Sequence, residues 1–250
     1  MLSTDPKLTE LVNRLKELAA KNLHSVILYG SAARGDFHEQ HSDINVLVVL
    51  ESLAAADLRR VAPAVRWWIT DQEEPAPLFF TEEELRRSSD VFAIELLDIR
   101  DAHRVLYGKN PVATINVPMN LHRVELEHEL RTTLLKLRQH FLLSAEKPRE
   151  LTAVLIKSTS SVMTLFRHVL IAFDETPPAS RAEVISRIAA VANADAGALN
   201  AALHVRESPG ANHDIGAIYG AYLQAIEKVV VALDHLIPKH EWQRVAKSTQ

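Results

Sequence analysis

Apolar residues along the first part of the chain recur with helical spacing and then form short unbroken runs. Residues 6–21 carry leucines and valines three and four positions apart, which predicts a helix, and Pro6 suits its first turn. Apolar residues then dominate two short runs, 25–29 and 44–50, each of the length of a buried strand. The two runs are separated by a polar connection, so the pattern predicts a sheet with helices packed against it.

The same half of the chain contains signals for additional helices and strands. Pro63 is expected to interrupt a helical pattern or to lie near a turn, and Thr81 with Glu84 has the spacing of a capping box that opens a helix. In order, the predicted elements are a helix over 53–68, a strand over 77–80, the helix that begins at Thr81 and a strand over 104–107.

The pattern changes after residue 110, and nearly everything beyond it has helical periodicity. We predict a first domain over 1–110, a proline-containing linker over 111–118, a second domain over 119–240 and a tail over 241–250. Helices with broad apolar faces must bury those faces against one another, which predicts a helical bundle. Its predicted helices are 119–144, 149–173, 179–193, 195–204 and 213–237.

Composition restricts the classes of protein to which the chain can belong. The 250 residues are 47% hydrophobic and 24% charged, with a net charge of -4, which is ordinary for a folded protein and gives no general attraction to nucleic acid or anionic lipid. The absence of cysteine excludes disulfides, thiolate metal sites and a cysteine nucleophile. No signal peptide is visible, and no apolar run approaches the ~20 residues of a membrane span. We therefore expect a cytoplasmic protein without a membrane partner.

Candidate chemistry lies where the first predicted strand ends, at Gly30 and Ser31. A strand that turns into a helix at Gly-Ser places unpaired backbone N–H groups beside a hydroxyl, an arrangement that suits phosphate oxygens. Asp43, at the start of the neighbouring strand, would face those phosphates and hold Mg²⁺, which prefers oxygen ligands. Taken alone, Gly30 and Ser31 are more typical of a simple strand-to-helix turn with a serine cap, and Asp43 could cap a turn before its strand.

The ordered set Gly30-Ser31, Arg34-Gly35 and Ser42-Asp43-Ile44 resembles the signature of the polymerase-β-type nucleotidyltransferase superfamily. That superfamily includes aminoglycoside adenylyltransferases and small antitoxin-like transferases. The resemblance covers residues 22–110 and implies an α+β fold, with a nucleotidyltransferase-type mixed sheet and flanking helices before the all-α bundle. It also implies nucleotide binding by Gly30, Ser31 and Arg34; Arg34 alone could equally be a solvated helix residue.

Two departures from the family pattern concern its metal-binding carboxylates. Asn45 occupies the position of the second carboxylate, on the same strand face as Asp43, and it can offer Mg²⁺ only a neutral oxygen. The third acid, which the family uses as general base, is expected near 78–80, where this chain has Leu-Phe-Phe. Glu82, Glu95 and Asp98 are close by in sequence, but none matches the motif position. The sequence therefore predicts Asp43 as the surviving catalytic carboxylate, with Asn45 as a weak second metal ligand.

Other conspicuous residues have structural interpretations. Arg123 and His128 fit an Arg-x4-His spacing that resembles a ribonuclease motif of helical partner proteins, but they are on the first predicted helix of the bundle, where the spacing is expected to be accidental. The acidic run 82–84 is typical of a helix start favoured by the dipole. Trp67 and Trp68 are expected in the core rather than stacked on a base.

The first hypothesis is an enzyme that transfers a nucleoside monophosphate from an NTP, expected to be ATP, to a hydroxyl of a small molecule or protein. In that hypothesis the missing acid comes from elsewhere, for example from Glu95 or from a second subunit. Asn45 and the apolar third strand favour the alternative of a degenerate module that binds nucleotide without turnover. An antitoxin-like partner protein is a third hypothesis, and the long apolar helices are compatible with a homodimer.

Overall fold

The structure is a computed structural model, and it describes residues 5–34, 44–208 and 213–236. The chain divides into two compact units, Met1–Pro118 and Met119–Gln250. The first unit contains the sheet and the second is helical, and each is described by itself below. This arrangement confirms the α+β class with a mixed sheet followed by a helical region.

A four-stranded mixed sheet organises the first unit, with strand order β3-β2-β1-β4. Its strands are β1 (Leu23–Tyr29), β2 (Asn45–Leu50), β3 (Leu78–Phe80) and β4 (His103–Gly108). The central strand β1 pairs antiparallel with β2 and β4, and β3 pairs parallel with β2. Both central strands are buried along most of their length, as the unbroken apolar runs predict. Gly108 ends β4 with a φ of +81°, where a Cβ would lie 1.9 Å from the carbonyl oxygen of His24.

Two helices, α1 (Pro6–Ala19) and α3 (Ala55–Thr70), pack together over one face of this sheet. The side chain of Asp5 caps α1, which begins at the predicted residue. The prediction that Pro63 interrupts the helix expected over 53–68 is wrong, because α3 continues through Pro63. Pro63 cannot donate a hydrogen bond to the carbonyl of Arg59, but both residues are exposed, so that carbonyl faces the solvent side of the helix.

The first unit also contains three short α-helices. The helix α2 (Ser31–Arg34) follows β1, and α4 (Glu82–Arg87) begins with both hydrogen bonds of the predicted Thr81–Glu84 capping box. The helix α5 (Ala93–Asp101) is not among the predicted elements and leads directly into β4. In the predicted linker, residues 111–114 form a 3₁₀ turn, and Val112, Ile115 and Val117 are buried.

The second unit consists, in its described part, of five helices that pack against one another. Residues at helical spacing on α6 form one buried stripe, which consists of Leu126, Leu130, Leu134 and Leu137. Helices α7 and α10 are the most apolar, and by length and composition alone both could cross a membrane, a property shared by core helices of globular proteins. The helices are α6 (Met119–Ser144), α7 (Pro148–Ala172), α8 (Arg181–Ala192), α9 (Ala196–Glu207) and α10 (Ile215–Asp234).

Polar groups inside the helical unit connect its helices. His122 on α6 and His168 on α7 are almost completely buried, and His122 Nε2 lies 2.9 Å from His168 Nδ1. The Tyr219 hydroxyl donates a hydrogen bond of 2.9 Å to the Leu137 carbonyl, and its ring stacks on Phe141 with centroids 5.5 Å apart. Desolvation raises the pKa of Tyr219 to about 12. These contacts join α6 to α7 and α10.

Candidate active site at the end of the first strand

The chain turns sharply at Gly30, where β1 ends and α2 begins. Gly30 has a φ of +78°, a conformation that is costly for residues with a Cβ. Its N–H donates a hydrogen bond of 3.1 Å to the carbonyl of Ala102, and its carbonyl accepts one of 3.1 Å from the N–H of Ala33. Two backbone hydrogen bonds therefore fix the turn. One joins it to Ala102, which links α5 to β4, and the other joins it to Ala33 in α2.

Asn45 lies directly beside this glycine. A Cβ placed on Gly30 would be 3.2 Å from Asn45 Nδ2, so the turn and the first residue of β2 are in close contact. In the sheet, Tyr29 is paired with Asn45 on one side and with His103 on the other. Directly opposed residues project from the same sheet face, so Tyr29, Asn45 and His103 form one row across the strand ends. All three are half-buried.

His103 fixes the end of this row to the neighbouring backbone. Its Nδ1 lies 2.9 Å from the Arg100 carbonyl, which can only accept, so Nδ1 carries the proton and donates. Its Nε2 lies 2.9 Å from Asn110 Nδ2 and accepts a hydrogen bond from that amide. His103 thus joins β4 to the last turn of α5 through its side chain.

Two carboxylates of α5 act on the tyrosine in the middle of the row. The pKa of Tyr29 is raised to about 12, first by burial and then by the negative charges of Glu95 and Asp98. Both effects disfavour the tyrosinate, because burial removes water and a nearby anion repels a second negative charge. Tyr29 therefore keeps its hydroxyl proton at neutral pH and can donate it in a hydrogen bond.

A further carboxylate, Glu74, holds the backbone at the start of β2. Its Oε2 accepts a hydrogen bond of 3.0 Å from the N–H of Ile44, and its Oε1 lies 3.1 Å from Lys7 Nζ. The Glu74 side chain is only 11% exposed, so both oxygens are engaged within the fold. Glu74 therefore fixes the backbone N–H of Ile44, immediately before β2.

Only some of the predicted site residues lie within the described part of the chain. Gly30 and Asn45 lie together. Ser31 and Arg34 begin and end α2, and their backbone alone is described. Asp43 lies outside the described residues, as do Gly35 and Ser42 of the motif. Tyr29 and Glu74 were not predicted; the only sequence signal for them is their closeness to Gly30 and to the third predicted strand.

The third strand, β3, is where the resemblance implies the third acid of the family. It pairs with β2 in the register Leu47 to Leu78, so it occupies the place next to the strand that carries Asn45. Its residues are apolar, and Phe80 packs edge-on against Phe92 with ring centroids 6.3 Å apart. Of the acids near it in sequence, Glu82 lies 3.4 Å from His24 Nε2, while Glu95 and Asp98 lie within electrostatic reach of Tyr29.

The described residues limit the side chains that are available to bind a divalent cation. They contain no group of three or more His, Cys, Asp or Glu side chains placed to hold a metal. Asn45 carries one neutral carbonyl oxygen, a donor of the type that suits a hard cation that also takes oxygens from a triphosphate.

Arg123 and Trp68 have structural roles. Arg123 donates hydrogen bonds of 3.0 Å to Glu127 and to the Leu233 carbonyl, so it links α6 to α10. Trp68 is fully buried and donates its indole N–H to the Pro75 carbonyl, and Arg14 stacks 4.3 Å from the centre of the Trp67 ring. These contacts agree with the structural interpretations of the two motifs.

Comparison with known proteins places the site in a family context. Residues 8–111 match the family model described as a nucleotidyltransferase domain. No curated protein matches the chain. Among solved structures, the spectinomycin adenyltransferase of Enterococcus faecialis, crystallised with ATP and spectinomycin, is similar at a TM-score of 0.52 and 14% sequence identity. The match covers 88% of this chain and 98% of that one, and it concerns the fold.

The family match includes β1, the Gly30 turn, β2 and β3, and the described motif residues Gly30 and Asn45 lie at the turn and at the start of β2. Within the matched residues Tyr29 pairs with Asn45, and Gly30 lies beside Asn45. Residues 8–111 are therefore similar to nucleotidyltransferase domains, and the Gly30 turn and Asn45 lie within the matched residues.

Proposed function

We propose that the chain transfers a nucleoside monophosphate from ATP to a hydroxyl group of a small molecule. The contact between Gly30 and Asn45, within the residues matched by the nucleotidyltransferase family, is the observation that carries this proposal. The similar adenyltransferase was crystallised with ATP and spectinomycin, which supports ATP as donor and a small hydroxylated molecule as acceptor.

Each residue of the site has a definite task in this reaction. The tight turn at Gly30 leaves room for the backbone to approach the phosphates, since a side chain there would crowd Asn45. Asp43, with Asn45, would hold Mg²⁺, which supplies positive charge to the phosphates during transfer. Tyr29 keeps its proton and can donate a hydrogen bond to a ligand at the strand ends.

Calorimetric titration with ATP and the other NTPs, with and without Mg²⁺, tests the nucleotide site. We expect Mg²⁺-dependent binding of ATP that Asp43→Ala abolishes and that the exposed-site control Asp71→Ala leaves unchanged. Pyrophosphate release in the presence of spectinomycin or of water then tests turnover. Absence of binding by any NTP at millimolar concentration would contradict the proposal.

Asn45 favours a second candidate, a module that binds nucleotide without efficient transfer, because a neutral amide contributes no charge to a second cation. Asn45→Asp separates the two candidates. If the wild-type chain is a working transferase, Asn45→Asp changes its rate only modestly. A rise of several orders of magnitude over an inactive wild type would establish the degenerate module instead.

A further inference from the structure

The helix α6 carries a second apolar stripe, on the side opposite to its buried leucines. Positions 121, 128, 135 and 142 are seven residues apart, and they hold Leu121, His128, Leu135 and Leu142. All four are exposed, Leu135 to 57% and Leu142 to 82%, and Val124 is exposed on the same side. Two helical turns contain about 7.2 residues, so a period of seven keeps these side chains on one face.

The outer face of a helix normally carries charged and polar residues along its centre. On α6 the outer stripe extends from Leu121 to Leu142, about 31 Å at 1.5 Å per residue. Large apolar side chains that recur every seven residues are typical of the seam between two paired helices. The stripe therefore has the form of one half of a two-helix interface.

Charged residues on one flank of the stripe are complementary to a second copy of α6. Glu129 and Lys136 are both exposed and lie seven residues apart on this flank, and the described part of the chain gives neither of them an ion pair. In an antiparallel pair with two-fold symmetry, residue i meets j while j meets i, and the same flanks face each other. Glu129 then lies opposite Lys136 of the second copy, and the symmetry forms this ion pair twice.

The same antiparallel arrangement brings the apolar residues of the stripe together. With the two-fold axis beside Thr132, Leu121 meets Leu142 of the second copy, and Leu135 meets His128 of the second copy. A parallel pair would instead place His128 against His128. The antiparallel pairing therefore fits both the apolar stripe and the charges beside it.

Arginines on the other flank are compensated by acids of α10. Arg131 Nη2 lies 3.2 Å from the Asp234 carboxylate, and Arg138 Nη2 lies 2.8 Å from that of Glu227. Each positive charge thus has a carboxylate of the same helical unit beside it. This reduces the repulsion between the two copies of Arg131 near the axis.

We propose that a second copy of this chain covers the stripe, and that two chains form a homodimer by antiparallel pairing of α6 with α6. The inference concerns the helical unit and does not depend on the proposed transfer. The other occupant that the chain itself could supply is its C-terminal segment. Beyond Pro238 that segment has only Trp242 and Val245 as large apolar side chains, too few to cover a stripe of this length.

Sedimentation equilibrium of the full chain over a range of concentrations tests the pairing. We expect a reversible monomer–dimer equilibrium, because one helix pair forms a small interface. Leu135→Glu combined with Leu142→Glu should raise the dissociation constant roughly 100-fold, since it places carboxylates in the apolar seam. Val91→Glu, at a position of the first unit that is 63% exposed, should leave it unchanged. The substituted positions are exposed, so all variants should keep the wild-type circular dichroism spectrum.

Thiol crosslinking tests the direction of the pairing, and the absence of native cysteine removes any background. Leu121→Cys mixed with Leu142→Cys should give a crosslinked dimer with a short bismaleimide, because these positions meet across the interface. Leu121→Cys by itself should give none, since its two copies lie about 31 Å apart in an antiparallel pair. Thr132→Cys, beside the axis, should crosslink to itself.

A full chain that stays monomeric at its highest soluble concentration would overturn the inference and leave the C-terminal segment or another protein as the occupant. A dimer that Leu135→Glu with Leu142→Glu does not weaken would overturn it as well, because the interface would then lie elsewhere. Crosslinking of Leu121→Cys to itself would contradict the antiparallel arrangement.

Discussion

At Gly30 the backbone has a φ of +78°, and the space where a Cβ would lie is 3.2 Å from the side chain of Asn45. Gly30→Ala should therefore lower the free energy of unfolding by about 1–2 kcal/mol, since a left-handed conformation is costly for any residue with a Cβ. Movement of Asn45 away from the new methyl group should also weaken ATP binding. Denaturant unfolding at an unchanged m-value measures the first effect and calorimetry the second.

Gly220, in the interior of α10, is the matched control for this substitution. No atom lies within 4 Å of a Cβ placed there, and the residue is helical. Gly220→Ala should stabilise the chain by about 0.5–1 kcal/mol, because alanine loses less backbone entropy than glycine on folding. Equal stability of Gly30→Ala and wild type would show that the turn tolerates a side chain.

At the scale of elements, Glu74 connects three segments: α1 through Lys7, the end of α3 through its own backbone, and the start of β2 through Ile44. The N–H of Glu74 donates to the Trp68 carbonyl at 3.3 Å, and the preceding residue, Glu73, has a φ of +57°. This turn directs a largely buried carboxylate toward the N–H of a residue that is itself only 2% exposed. The entry into β2 therefore depends on a side chain 30 positions away along the sequence.

Glu74→Ala should lower the free energy of unfolding by about 1–3 kcal/mol, because it leaves the buried Ile44 N–H without its acceptor. Lys7→Met removes only a partly exposed ion pair and should cost less than about 1 kcal/mol. Glu74→Gln keeps an acceptor oxygen and should resemble Lys7→Met. Thermal and denaturant unfolding measure the free energy of unfolding of the three variants. If Lys7→Met lowers it as much as Glu74→Ala does, the stabilisation comes from the ion pair instead.

Most helices and strands could be predicted from the sequence because each has a local signal. The run at 44–50 is apolar enough to be buried on both faces, and the Thr81–Glu84 pair is a cap that forms within a few residues. The helix α5 gave no such signal, because five of its nine residues are buried and they do not form a single stripe. Pro63 misled the prediction because a helix tolerates proline where the freed carbonyl faces water.

The candidate site could be predicted only where its residues are neighbours in sequence or on one strand. Gly30 belongs to a local motif, and the alternation along a strand predicts the side of Asn45. The effect of Glu95 and Asp98 on Tyr29 depends on the tertiary position of α5 near the end of β1, which periodicity does not encode. The same holds for the contact between Glu74 and Ile44, which joins residues far apart in the chain.

At the scale of the whole molecule, the chain consists of two compact units, and each buries a core of its own. In the helical unit the stripe of α6 leucines packs among α7 and α10, and Tyr219 joins α10 to α6 through its hydrogen bond to Leu137. None of the residues in this description belongs to the first unit. The helical unit therefore contains the interactions that a cooperative fold requires.

A chain that begins at Met119 should fold by itself into a helical protein with a cooperative thermal transition, which circular dichroism measures. Tyr219→Phe removes the hydroxyl that donates to the Leu137 carbonyl, and it should lower the free energy of unfolding by about 1 kcal/mol in both the separate unit and the full chain. Equal losses would mean that this core is complete within residues 119–250. A broad transition in the separate unit, or a loss seen only in the full chain, would show that the helical core needs the first 118 residues to form.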